Sequence, residues 1–289
     1  MERPVISFLS DFGPESAPAI CRGVMLGIAR DAQVIDISHS VRKFAIRDGA
    51  YLLWSAVPWL PIGVHVVVVD PGVGTDRRPI GIRTARGDVL VGPDNGVLMP
   101  GAEALGGLSE ARLLANPDLM LPRASATFHG RDVFAPVAAH LAAGRRFEEV
   151  GPVIDPEGLV PLAFPVPMAV DGGLETSVLF VDSFGNVRLA GVPADLEAAI
   201  GALTPGRPLE VAFGGPAPLP GAGARGSGPS GPGPVRHTIP WARTFAERPV
   251  GEPLVYENSF GGIAIAVNQG SAAAALGVEA GRPVRIVAA

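Results

Sequence analysis

The 289-residue chain holds one cysteine, Cys21, so it can form no internal disulfide and no multi-cysteine zinc site. It has a single lysine, Lys43, against many arginines, and that bias carries no chemical argument. Positive charge is in deficit: the formal net charge is −5 and the pI is near 5.6. A nucleic-acid binder normally shows a basic face, so that class is excluded. No apolar run approaches the roughly 18 residues of a membrane-spanning helix. MERPVISFLSDFG lacks the basic start and apolar stretch of a signal peptide and reads as a first strand, so a cytoplasmic protein is expected. Several motifs are also missing: GxGxxG and GK[ST] for phosphates, the i, i+4 histidine pair of a zinc helix, and the GxSxG elbow of serine hydrolases. What remains is 47% apolar and 18% charged, enough to bury a sizeable core.

Along the chain, element types alternate for the first 165 residues. VISFLSD, QVIDIS and the valine run HVVVVD read as strands, separated by helices around ICRGVMLGIARDA and IRDGAYLLWSAV. PIGIRT and DVLVGPD add short strands, and FHGRD opens a helix VFAPVAAHLAAG. This pattern predicts an α/β domain with a mostly parallel sheet over residues 1–165. PLAFPVPMAVDGG marks the boundary. Residues 166–289 are β-rich, from LETSVLFVD to VRIV, and predict a smaller all-β, barrel-like domain. Residues 214–235, almost all Gly, Pro, Ala and Ser, read as a flexible excursion between two strands.

Polar clusters recur at the ends of N-terminal strands: SDFG, VDPGVGTDRR, GPDNG and FHGRD. In open α/β sheets ligands bind outside the carboxyl ends of the strands. Asp11 could accept the paired hydroxyls of a ribose, or only close a turn with Gly13. FHGRD sits at a helix start, so its backbone N–H groups could face an anion or a polarised water, or His129 could be a loop histidine and Asp132 a helix cap. Asp70, Asp94, His129 and Asp132 together could also make an oxygen-rich metal site. Cys21 falls on the apolar side of a predicted helix and reads as buried and inert.

LSDFG, VVVVDPGVGTDRR, VGPDNGVL, FHGRDVFAPVAAHLA, VDSFGNV and ENSFGGIAIAVNQGSAAAALG, in this order, resemble the S-adenosyl-L-methionine (SAM) hydroxide adenosyltransferases. These adenosine-forming SAM hydrolases are related to the fluorinase and chlorinase. The resemblance spans nearly the whole chain. It implies hydrolysis of SAM to adenosine and L-methionine by attack of water or hydroxide at C5′, with no cofactor and no metal. By position, the family's water-handling triad falls on Asp70, Arg77 and His129. The halogenases have no aspartate at the position of Asp70, so the set points to water rather than halide. Arg78, next in line, is expected to be surface or structural. For the substrate, the resemblance implies Asp11 on the ribose hydroxyls and Phe44 against the nucleoside. Asp182 should meet the methionine ammonium and Ser259 the carboxylate, with Phe184 and Asn186 at adenine. Val267 to Gln269 should reach adenine through the backbone, and Phe245 should add a ring wall. The family's site lies between subunits of a homotrimer.

The chain departs from the pattern in places. Phe260 stands where the halogenases use an arginine near the methionine carboxylate. PESAPAIC matches the usual polar loop poorly, and NVRLA lacks the Thr-Asn that follows FGN. These departures concern the amino-acid end of the substrate more than the triad. Three rivals are a SAM- or adenosine-binding protein without turnover, a SAM-dependent halogenase, and a metal-dependent hydrolase.

Overall fold

The computed structural model describes residues 3–214 and 235–289, which divide into two units, 1–163 and 164–289. The excursion expected at 214–235 lies, but for its two end residues, outside the described residues.

In the first unit the strands are β1 (Val5–Ser10), β2 (Gln33–Ser38), β3 (Val64–Val68), β4 (Pro79–Thr84), β5 (Val89–Pro93), β6 (Leu108–Leu113) and β7 (Val153–Ile154). The helices are α1 (Ser16–Ile28), α2 (Ile46–Ala56), α3 (Met99–Ala104) and α4 (Ala135–Ala142). The sheet runs β2-β1-β3-β5-β4-β6-β7. Its β2-β1-β3-β5 part is parallel, while β4, β6 and β7 join antiparallel. β1 and β3 are buried at every position, as continuous apolar runs in a doubly covered sheet must be. Ile6, Phe8, Val64, Val66 and Val68 share one core with Cys21 and Met25 of α1 and Val137 and Ala138 of α4. The alternate residues Leu9, Val67 and Val69 are equally buried. α2 lies against Val69 at Gly49. Burial holds the thiol of Cys21 protonated, with its pKa pushed up to about 12.

Three polar residues interrupt this core together. Ser7 Oγ lies 2.8 Å from His65 Nδ1, and His65 Nε2 lies 3.0 Å from Asp88 Oδ1. All three are fully buried, and Asp88 also takes Arg86 and the Gly63 N–H. The order Ser–His–Asp copies a hydrolase triad, but with the serine sealed inside the sheet it serves as a polar tie across β1, β3 and the turn before β5.

The second unit is antiparallel. Its strands are β8 (Met168–Val170), β9 (Gly173–Val181), β10 (Val187–Leu189), β11 (Pro208–Phe213), β12 (Val235–Pro240), β13 (Pro253–Glu257), β14 (Ile263–Val267) and β15 (Pro283–Ala288), with helices α5 (Pro193–Ile200) and α6 (Ala272–Leu276). The order is β12-β11-β15-β9-β10-β14-β13, with β8 on β9. The two end strands meet: Trp241, just past β12, bridges Val255 of β13, and Ala242 N–H donates to the Val255 carbonyl at 2.9 Å. The sheet therefore curls almost into a barrel, which leaves little open edge. Val187, Leu189, Val255, Ile263 and Ile265 face its core. Alternation then puts Arg188, Ala264 and Tyr256, which pair in one row, on the outer face.

Candidate active site

β1 and β3 are parallel neighbours with Ser10 opposite Val68, so the residues after them emerge at the same edge. Asp11 N–H still donates to the Val68 carbonyl, at 3.3 Å. The buried Asp11 carboxylate accepts the Phe44 N–H at 2.9 Å, and Lys43 Nζ donates to the Asp11 carbonyl at 2.6 Å. Phe44 has φ of 65° and a ring 69% exposed. A left-handed aromatic residue costs about 1 kcal/mol or more and persists only where its surroundings impose it. Here the Asp11 bond and the Arg42–Asp48 pair hold the loop.

Asp70 follows Val69 at the end of the valine run. The loop after it folds back through Val73 N–H on the Asp70 carbonyl and Thr75 N–H on the Gly72 carbonyl, at 3.2 and 3.1 Å. Gly74, with φ +82°, passes so near the Ala126 carbonyl that a Cβ would come within 2.8 Å of its oxygen. Only glycine fits there. The fold-back returns Arg77 onto Asp70: Nε donates to both carboxylate oxygens at 2.9 Å, and Nη2 also bonds Oδ2. The same Nη2 donates to Nδ1 of His129 at 2.8 Å. The guanidinium lies over the Phe134 ring, 5.2 Å from its centre. Both side chains of the ion pair are under a tenth exposed. Arg77 Nη1 is buried without a hydrogen-bond partner among the described residues.

His129 precedes a π-helical turn, Gly130–Phe134, that leads into α4. Such turns are rare and recur at functional sites. At Gly130 the Phe12 ring of SDFG approaches so closely that a Cβ would lie 2.7 Å from it. Burial and the Arg77 charge lower the pKa of His129, with Asp70 and Asp132 pulling the other way. Arginine has only donors, so Nδ1 accepts and the proton of the neutral ring sits on Nε2. Asp132 is engaged by Arg131 and the Ser125 N–H, and Asp94 by Arg78 and the Val160 N–H. Arg78 also donates to the Gly158 carbonyl at 2.5 Å, a tie between loops. The four-residue metal alternative is not assembled: Asp70, Asp94 and Asp132 each serve a different arginine. Among the described residues no group of three His, Cys, Asp or Glu side chains converges.

In the second unit, Asp182, Phe184, Asn186, Phe245, Ser259, Val267 and Gln269 all line one cavity of about 720 Å³. Asp182 organises its rim: Oδ1 accepts the Phe184 and Asn186 N–H groups at 3.0 and 2.9 Å, and Oδ2 accepts Asn186 Nδ2 at 3.1 Å. Phe184 stands 77% exposed, and Phe245 packs on Tyr256 with ring centres 5.1 Å apart. Gln269, with φ of 56°, sits in the tight turn closed by Gly270 N–H on the Val267 carbonyl. Four further lining residues, Arg188, Tyr256, Asn258 and Gly270, escaped the sequence reading. The alternation of NVRLA and PLVYE could have put Arg188 and Tyr256 on one face, but it says nothing of a cavity there. Phe260, the residue marked as a departure, lies under Arg188, whose guanidinium is 4.7 Å from the ring centre.

The chain matches the family models described as the SAM hydroxide adenosyltransferase N-terminal domain, over residues 6–151, and C-terminal domain, over 176–285. It is 44% identical to the (R)-S-adenosyl-L-methionine hydrolase of Salinispora arenicola, covering 99% of this chain and 98% of that one. It is 28% identical to the fluorinase of Actinopolyspora mzabensis, covering 98% and 97%. The crystal structure of an uncharacterized conserved protein from Thermotoga maritima superposes with a TM-score of 0.83 at 34% identity, covering 98% of this chain and 99% of that one. With both of its units matched in order, and relatives aligned end to end, the chain belongs to the SAM hydroxide adenosyltransferase family.

Proposed function

We propose that this protein hydrolyses SAM to adenosine and L-methionine, water attacking C5′ in line with the C5′–sulfur bond. One observation carries the reading: Asp70, Arg77 and His129 meet at the carboxyl edge of the parallel strands, with a buried guanidinium donor still unpartnered among the described residues. The balance is simple. The new C5′–O bond replaces the C5′–S bond, whose electron pair neutralises the sulfonium as the thioether leaves, and one proton is released. A sulfonium needs no acid to depart, so the chemistry falls on the water, which must be held and relieved of a proton.

All three side chains are already engaged with one another. Asp70 spends both oxygens on Arg77, and His129 offers its lone pair to the same guanidinium. The group therefore acts by orientation and field: Asp70 accepts a hydrogen bond from the water and Arg77 favours the developing hydroxide, while the released proton goes to solvent. Asp70 also disfavours halide, since a carboxylate beside the nucleophile repels an anion and welcomes a water hydrogen. For binding, we assign the ribose hydroxyls to Asp11 and one nucleoside face to Phe44. Adenine falls to Phe184, Asn186, Phe245 and the Val267–Gln269 backbone, and the methionine end to Asp182 and Ser259. We further propose a homotrimer in which the triad of one subunit serves the cavity of its neighbour.

The test is incubation of the purified protein with SAM, with and without a chelator, and with fluoride, chloride or no halide. Adenosine and methionine should form in every tube at one rate. A halogenated adenosine would make it a halogenase, activity lost with the chelator a metal enzyme, and bound SAM without product a binding protein.

A further inference from the structure

Two opposite charges face the same cavity of the second unit. Arg188, on the outer face of β10, brings Nη2 to 3.6 Å from Oδ2 of Asp182, with side chains only 16% and 15% exposed. A pair this enclosed has to be explained, because each ion loses much of its hydration there.

The pair is not built as a fork. Asp182 is already fixed by three hydrogen bonds from Phe184 and Asn186, so its position does not depend on the guanidinium. Arg188 in turn rests on the Phe260 ring. A ring face stabilises the cation and leaves its N–H donors directed within the guanidinium plane, where a planar carboxylate meets them two at a time. An anchored anion and an anchored cation, side by side at the wall of a partly aromatic cavity, are the complement of a ligand carrying ammonium and carboxylate on one carbon. Ala264 lies between Arg188 and Tyr256 in the same row.

We infer that Arg188, seated on Phe260, is the residue that recognises the α-carboxylate of the substrate, with Asp182 taking the ammonium, so that this cavity selects a zwitterionic amino-acid tail. The identity of the ligand rests on the hydrolase reading; the zwitterion selectivity rests on the charge pair alone. Ser259 lines the same cavity and adds a hydroxyl at that end. The residue sets specificity and does not touch the reacting carbon.

The experiment compares SAM with its decarboxylated analogue, which keeps the sulfonium, the amine and the adenosine but lacks the carboxylate. The full-length wild type, Arg188→Gln and Arg188→Lys are assayed for adenosine release, and the binding of both compounds is measured by calorimetry. The wild type should prefer SAM by roughly 10- to 100-fold, the worth of a charge-assisted pair. Arg188→Gln should raise KM for SAM by about that factor, leave the analogue nearly unchanged, and so erase the preference. Arg188→Lys should recover part of it. Equal losses on both compounds would make Arg188 merely structural, and an undiminished preference in Arg188→Gln would place carboxylate recognition elsewhere; either result overturns the assignment. Binding preferences decide the matter even if the wild type releases no adenosine, an outcome that would sink the hydrolase reading alone.

Discussion

A guanidinium that donates to an imidazole nitrogen sets the protonation state of the ring. Arg77 donates to Asp70 and to Nδ1 of His129, so a histidine that took up a second proton would turn an N–H toward an N–H. Burial and Arg77 already place the pKa of His129 below its ordinary value, and the neutral ring is the form the contact requires. Activity should accordingly be independent of this group at neutral pH and above. It should fall as pH drops, with a midpoint in kcat/KM below about 6.5, the ordinary histidine value. A midpoint above 7 would remove His129 from the role given to it. At this scale the sequence was informative where residues are consecutive or lie in one motif. Asp70 and Arg77 are seven apart in one loop and do pair. Arg188 was not legible, because its meaning comes from the Phe260 ring beneath it, which a separate stretch of chain brings there.

Elements were legible in proportion to how plainly burial marks them. The valine-rich β3 could hardly be anything else, and the alternation of VRLA and LVYE gives inward and outward faces directly. β6 and β7 were not recognised, since neither LSEARL nor the two-residue VI carries a clean period. Nor was the π-helical turn at Gly130–Phe134, whose extra residue per turn leaves no mark in a hydrophobic pattern. The Ser7–His65–Asp88 tie was hidden for another reason: polar residues inside apolar strands look like interruptions until their strands are neighbours. Replacing His65 by Ala would take one hydrogen bond from the buried carboxylate, strand the Ser7 hydroxyl and open a cavity, and should destabilise the protein by about 3 kcal/mol. A urea midpoint shift with unchanged slope would show it; a loss under about 0.5 kcal/mol would mean that water or repacking satisfies the site. Burial alone would raise the pKa of Asp88, but bonds from His65, Arg86 and Gly63 outweigh it and hold the value well below the ordinary range. That contribution is present at neutral pH and is lost as the carboxylate is protonated in acid, beginning near pH 4.

For the whole molecule, the triad occupies the first unit and the cavity the second, and the proposed homotrimer predicts complementation between subunits. Asp70→Ala should bind SAM nearly as well as the wild type yet lose most turnover, whereas Asn186→Ala combined with Phe184→Ala should lose binding. Unfolded together and reassembled in equal amounts, two such inactive chains should regain about a quarter of wild-type activity, the share of interfaces that pair an intact triad with an intact cavity by chance. No recovery would mean that each chain completes its own site.

Cys21 sits at the core of the first unit, and the second unit has no sulfhydryl at all. The protein thus carries a built-in reporter of its own breathing. A maleimide can reach that sulfur only when α1 lifts from the sheet, so the rate of labelling times the opening of one half of the chain, while Trp241, the second unit's lone indole, can be followed by fluorescence to watch the other once Trp54 and Trp59 are replaced by Phe.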